Sequence, residues 1–242
     1  MPQCKLCKQE AKLVRAHIIP RAFYQLPVEE EPAKIISSVE GRHPRRTRTG
    51  IYDPNILCDK CDGMLGRLDQ HAAETLLIPG FPVRLTRLGA PVCYLYAEAD
   101  PVLIHTFVAS VLWRASVSSN VFFEPVALGP YAEKIAALLF DPVSSYGSNI
   151  ETVLGEFNQS NVPLLNPHAI KMGGVRYWVL YAGRFTLYLK ADKRPSVGSL
   201  AEYALRPGRP VFAIARDWKN SKERPIMAAL ARRHPNLFKP RS

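Results

Sequence analysis

The chain has 242 residues, 47% of them hydrophobic and 22% charged, with a formal net charge of +11. That much apolar material supports a sizeable core, and no apolar run reaches the roughly 18 residues a membrane span requires, so the composition argues for a soluble globular protein and against a membrane-spanning one. The excess charge is concentrated late: residues 190–242 carry 13 Lys/Arg against 4 Asp/Glu, a balance that suits a polyanion, with DNA ahead of RNA, through counterion release. A solubilising basic tail is the plainer reading of the same residues.

The N-terminus lacks the charged-then-apolar pattern of a secretory signal, which leads us to expect a cytoplasmic, reducing setting. Two Cys-x-x-Cys pairs, Cys4–Cys7 and Cys58–Cys61, stand far apart in the chain. Four thiolates at this spacing are what one tetrahedral structural Zn²⁺ requires, because each pair folds into a tight knuckle and two knuckles close the coordination shell. Cys93, in a short apolar run, reads as a buried core thiol.

After the first knuckle, Leu13, Val14, Ile18 and Ile19 favour an extended strand, and Pro20 turns the chain away from it. His17 therefore falls near a strand end, where a structural histidine is the bland reading. Residues 27–50 combine an acidic run, three prolines' worth of breaks with flanking glycines, and a basic cluster, and predict a long irregular loop. Arg42, His43, Arg45, Arg46 and Arg48 within it form a candidate phosphate-contacting patch. Beyond the second knuckle, Leu65, Leu68, Ala72 and Leu76 recur at helical spacing, so an amphipathic helix is expected to start at the knuckle and to end at Pro79-Gly80.

A split Cys-x-x-Cys pair, a strand His after the first pair and a helix launched from the second together resemble the zinc-stapled HNH endonucleases, the His-Me finger or ββα-metal nucleases. The similarity covers roughly residues 1–78. Ala16-His17-Ile18-Ile19-Pro20 also resembles a strand motif of uncharacterised prokaryotic and phage proteins, which links the reading to phage biology or defence against phage. The resemblance implies a treble-clef finger in which His17 is the general base. Asp62 stands in for the helical metal-binding residue, and a nearby Asn55, with Asp53, orients the base or helps hold a catalytic Mg²⁺ or Mn²⁺. The chain departs from the pattern at Ala16, where an acid is common, at Asp62, where His is common, and at Asn55, which lies closer to the second knuckle than the family Asn. Asp69, two turns beyond Asp62, is too far along the helix to share one ion with it and is expected to pair with Arg67 or a loop arginine. His71 reads as a surface helix residue.

In the rest of the chain, residues 100–119 predict a buried helix with Pro101 in its first turn, and 131–140 a second helix. Part of 142–155 reads as loop, and 174–189 as two strands turning at Ala182-Gly183. Trp113-Arg114, Tyr177 and Trp178 could stack on bases, but aromatics at such helix and strand spacing fit core positions better. The basic end forms a short helix near 225–233 that carries Arg232 and Arg233, candidate nucleic-acid contacts. The expected class is α+β: a zinc-binding, HNH-like module over 1–80 and an α+β domain with a basic C-terminal segment over 81–242. Three functions fit this sequence. It could be a metal-dependent DNA endonuclease, a non-catalytic nucleic-acid-binding protein with a degenerate site, or a protein-interaction module whose zinc is structural.

Overall fold

The computed structural model describes residues 1–24, 33–36, 45–47, 49–77, 83–87, 90–143, 149–159, 162 and 164–233. At its N-terminal end, β1 (Leu13–His17) pairs antiparallel with β4 (Tyr52–Cys58), and α1 (Asp59–Leu76) follows β4 without a break. Between β1 and β4 come β2 (Ala33–Ile36) and β3 (Arg45–Thr47). The predicted loop over 27–50 thus contains two strands. They pair with each other and, through β2, with β8 (Leu164–Leu165) in a small separate sheet, a partnership supplied from more than a hundred residues away.

Helix α1 begins inside the second knuckle, where the sequence places its start. Cys58 occupies the N-cap position in extended conformation, and Cys61 already lies within the first turn. Asp59 and Asp62 in that turn suit the positive end of the helix dipole. Its buried stripe is Cys61, Leu65, Ala72 and Leu76.

The larger sheet is built from β5 (Val83–Arg87), β6 (Ala90–Tyr96), β7 (Ile150–Phe157), β9 (His168–Met172), β10 (Val175–Ala182), β11 (Phe185–Ala191) and β12 (Val211–Arg216). Their order is β5-β6-β12-β7-β11-β10-β9, and only the β12–β7 neighbours run parallel. Part of the stretch expected as loop is therefore the central strand β7, whose residues are buried almost throughout. The β10–β11 hairpin turns at Gly183, as its sequence predicts; the residue has φ +58°, a left-handed conformation that glycine adopts without a Cβ penalty.

One face of this sheet is filled by α2 (Pro101–Val117). The Asp100 carboxylate caps it by accepting from the N–H groups of Val102 and Leu103, and Pro101 occupies the first turn. Every residue from Ile104 to Ala115 is buried, because α1, α3 (Tyr131–Phe140) and strands β7 and β11 all pack on α2. One hydrophobic cluster runs from Leu65 of α1 through Phe107 of α2 to Leu187 of β11, joining the cysteine-bearing end to the large sheet. Trp113, Tyr177, Trp178 and Cys93 are all core residues. The other face of the sheet carries the short α4 (Ser199–Glu202) and α5 (Glu223–Arg233). No helix among the described residues is long and apolar enough to cross a membrane.

Candidate metal centre and histidine site

The first knuckle is shaped by the backbone. The N–H of Lys8 returns to the carbonyl of Cys4 at 2.9 Å, with Lys8 at φ +61°, and the N–H of Lys5 donates to the carbonyl of Ile56 on β4. This second bond seats Cys4 and Cys7 against the second pair. The four Sγ atoms of Cys4, Cys7, Cys58 and Cys61 lie within 4.8 Å of one another. Ligands about 2.3 Å from a tetrahedral centre would stand ~3.8 Å apart, and Cys7 and Cys58 are 3.9 Å apart. The four cysteines are positioned to bind one metal ion.

Electrostatics argue for a cation at this place. Burial opposes ionisation of Cys4, but the N–H groups of Cys7, Cys58 and Leu6 outweigh it and bring its pKa down to about 7. Burial, together with the neighbouring thiols of Cys7 and Cys58, pushes Cys61 well up, and burial raises Cys58 as well. Four thiols this close cannot all become thiolates by themselves, and a divalent ion would supply the missing positive charge. With all four positions held by protein, such a centre is closed and staples the chain without offering substrate a site.

His17 ends β1, opposite Tyr52 in the β1–β4 register, and is partly exposed beside it. Arg15, on the same strand face, stacks over the Tyr52 ring with its guanidinium carbon 3.8 Å from the centroid. His17 Nε2 lies 2.9 Å from the carbonyl oxygen of Thr49. A carbonyl can only accept, so Nε2 carries the proton and Nδ1 is the nitrogen with a lone pair. The resemblance led us to look to an asparagine for this orienting role, yet a backbone carbonyl fills it. Asn55 is exposed, and its N–H donates to Asp53.

Asp53 sits opposite Ala16 on the buried side of the same strand pair. It is 1% exposed, and its oxygens accept from the N–H groups of Asn55 and Ser119 and from the hydroxyls of Ser118 and Ser119. Burial works against its charge, but these donors hold the carboxyl below the usual range. Its oxygens tie β4 to the turn after α2.

Asp62 and Asp69 share a face of α1 but have different surroundings. Asp69 does not pair with Arg67 or a loop arginine. It receives a bidentate ion pair from Arg114 of α2, at 2.7 and 2.8 Å. Arg114 is 1% exposed and also donates to the carbonyl of His17 at 2.9 Å. The Asp62 carboxyl is half-buried and makes no hydrogen bond or ion pair among the described residues. Burial raises its pKa, Arg114 pulls it down, Asp69 pushes it up, and the charge on His17 favours its ionised form. Asp62, Asp69, Arg114 and His17 therefore form one electrostatic group. His71, two residues beyond Asp69, accepts from the N–H of Asp100 and helps seat the start of α2.

The chain was compared with protein-family models, with curated proteins and with solved structures. None matches.

Arg45 and Arg46 fall on β3, but their side chains, like residues Arg42, His43 and Arg48, lie outside the described residues. Arg232 and Arg233 are exposed in the last turn of α5. Sequence reasoning missed Thr49 and Arg114. A backbone carbonyl has no sequence signature, whereas Arg114 did leave one: it is the single Lys, Arg, Asp or Glu in the run 101–117.

Proposed function

We propose that this protein binds DNA and hydrolyses its phosphodiester bonds as a metal-dependent endonuclease of the HNH kind, with the four-cysteine centre holding structural Zn²⁺. The observation that carries the reading is the juxtaposition on one β-β-α unit of a partly exposed His17, oriented through Nε2, and an Asp62 that has no partner among the described residues and senses its charge. In this scheme Nδ1 of His17 takes a proton from water, and the resulting hydroxide attacks phosphorus in line with the leaving oxygen. The Thr49 carbonyl holds the imidazole in the required tautomer. A Mg²⁺ or Mn²⁺ bound by Asp62 and waters would supply charge stabilisation at the phosphate, a ligand set that suits a hard cation that keeps much of its hydration. The exposed cations of the C-terminal segment would hold the phosphate backbone.

A second reading, a DNA-binding protein whose cation site has decayed, is favoured by one observation. Asp53 and Asp69 are both committed elsewhere, to the 118–119 turn and to Arg114, which leaves Asp62 as the carboxylate available beside His17 among the described residues.

Nicking of supercoiled plasmid in Mg²⁺ or Mn²⁺, against EDTA, separates the two. The nuclease reading expects cation-dependent nicking that His17→Ala abolishes while the bound zinc is retained. Salt-sensitive DNA binding without nicking selects the second reading. Absence of both activities rejects both and leaves a protein-interaction role.

A further inference from the structure

The carbonyl that orients His17 is placed by the chain just ahead of β4. The β1–β4 ladder runs one step past its last strand pair: beyond His17 and Tyr52, the N–H of Ile18 donates to the carbonyl of Ile51 at 3.0 Å. Ile51 is buried in the core and is fixed by it. Gly50 then turns the chain so that the carbonyl of Thr49 faces Nε2 of His17 at 2.9 Å. It does so with φ +81°, a conformation that strains any residue carrying a Cβ. The Thr49 carbonyl belongs to the same planar peptide as the Gly50 N–H, so the conformation of Gly50 sets where that oxygen points.

An aromatic ring covers Gly50. A Cβ added there would collide with Cε2, Cδ2 and Cζ of Tyr24, so the ring occupies the space that a side chain would take. Tyr24 is buried and ends a short 3₁₀ turn, Arg21–Tyr24, which starts directly after Pro20. The N–H of Phe23 closes that turn on the carbonyl of Pro20 at 3.0 Å.

The turn is braced from the larger sheet and its helix. Phe23, beside Tyr24, stacks on Phe107 of α2 with ring centroids 5.4 Å apart and meets Phe185 of β11 edge-on at 6.2 Å. Its carbonyl oxygen lies against Gly183 in the β10–β11 turn, where an added Cβ would stand 3.1 Å from it. A continuous set of contacts therefore leads from α2 and the hairpin turn through Phe23, Tyr24 and Gly50 to the oxygen on His17.

We propose that Tyr24 and Gly50 are positioning residues for His17: the braced Tyr24 ring confines Gly50 and so holds the Thr49 oxygen on Nε2. This role rests on the reading of His17 as general base, and it gives the larger sheet a part in that site. Without the ring, Gly50 regains the wide conformational range open to glycine. The Thr49 oxygen then loses its fixed direction, and the imidazole divides between its two neutral tautomers. Only the Nε2–H form leaves a lone pair on Nδ1.

Histidine ¹⁵N NMR of the full chain, with the imidazoles neutral, reads the tautomer directly, and His17→Gln supplies the assignment. The wild type should show His17 as the Nε2–H form alone. Tyr24→Leu and Gly50→Ala should each show both tautomers and should lower kcat for plasmid nicking at least about tenfold with KM nearly unchanged, because a misplaced catalytic group slows the step without weakening binding. Tyr24→Phe, which keeps the ring, should restore the single tautomer and the rate. A merely structural role would lower the melting temperature and leave the tautomer of the folded protein as it is. If Tyr24→Leu does not fold, Tyr24→Met, with its more adaptable side chain, takes its place. A mixture or the Nδ1–H form in the wild type would overturn the proposal, as would a folded Tyr24→Leu or Tyr24→Met that keeps the single tautomer. Failure of the nuclease reading looks different: the wild type does not nick, and the tautomer alone then decides whether Tyr24 and Gly50 position His17.

Discussion

Arg114 on α2 holds Asp69 on α1 through two parallel hydrogen bonds while donating a third to the carbonyl of His17. A residue from the long buried helix thereby fixes both the strand end that carries the candidate base and the helix that carries Asp62. Because the guanidinium is almost wholly out of water, these bonds, together with those it makes to the carbonyl and hydroxyl of Ser110, offset its desolvation.

Removing one partner should therefore be costly. Arg114→Met is expected to lower stability by about 3–5 kcal/mol, because it strands the Asp69 carboxylate. Asp69→Leu should cost a similar amount for the opposite reason. The combined Arg114→Met/Asp69→Leu variant should recover much of the loss, giving a coupling energy of at least about 1 kcal/mol. Urea unfolding of the four proteins measures the cycle, and strictly additive losses would contradict the pairing.

Metal removal gives a second expectation. Elemental analysis should find one ion per chain, and Cys58→Ser should lose it. Since binding of such an ion is coupled to folding, the variant or the chelated protein should melt at least ~10 °C lower than the loaded protein. An unchanged melting curve after verified metal loss would remove the cluster from the stability of the fold.

Asp53 and Asp62 should respond in opposite ways. Asp53→Ala leaves four donors around a buried gap and is expected to cost about 2–4 kcal/mol. The lowered Asp53 pKa also means that its contribution is complete above the ordinary carboxylate pKa and is lost as pH falls through the folded-state value. Asp62→Asn should leave the urea midpoint nearly unchanged, since the carboxyl makes no hydrogen bond or ion pair among the described residues, while reducing the Mg²⁺ or Mn²⁺ dependence of any nicking. A large stability loss at Asp62 with a neutral result at Asp53 would reverse these assignments.

His105, buried in α2, bonds through Nδ1 to the Thr152 hydroxyl of β7 at 2.7 Å. Burial pushes its pKa down to about 4, with the Glu151 charge pulling the other way. The unfolded chain, with a histidine pKa of about 6.5, binds more protons than the folded one between these values. Its contribution to stability is therefore complete above the unfolded value and is lost as pH falls. Between pH 7 and 5 this residue should cost about 2 kcal/mol. Urea unfolding at both pH values, in the wild type and in His105→Gln, tests this: the variant should lose that much less on acidification, and metal release contributes equally to both.

Local patterns determined a good part of this protein. The two Cys-x-x-Cys pairs, the capped and proline-started α2, the α3 segment and the hairpin turning at Gly183 all follow from residues within a few positions of one another, where spacing, capping and backbone preference act directly. The tertiary structure decided the rest, because the deciding partner was distant in sequence. The 27–50 excursion gains strands through β8, and 150–157 becomes a central strand once β11 and β12 flank it. The candidate site divides along the same line. Its cysteines and His17 were legible as residue types at a given spacing. The retirement of Asp53 to Ser118 and Ser119 and the capture of Asp69 by Arg114 depend on which groups meet when α2 packs against β4 and α1, and the carbonyl of Thr49 reaches His17 as β4 returns beside β1. A carboxylate's role is set by the donors that surround it, and no short-range pattern specifies donors 45 or 66 residues away.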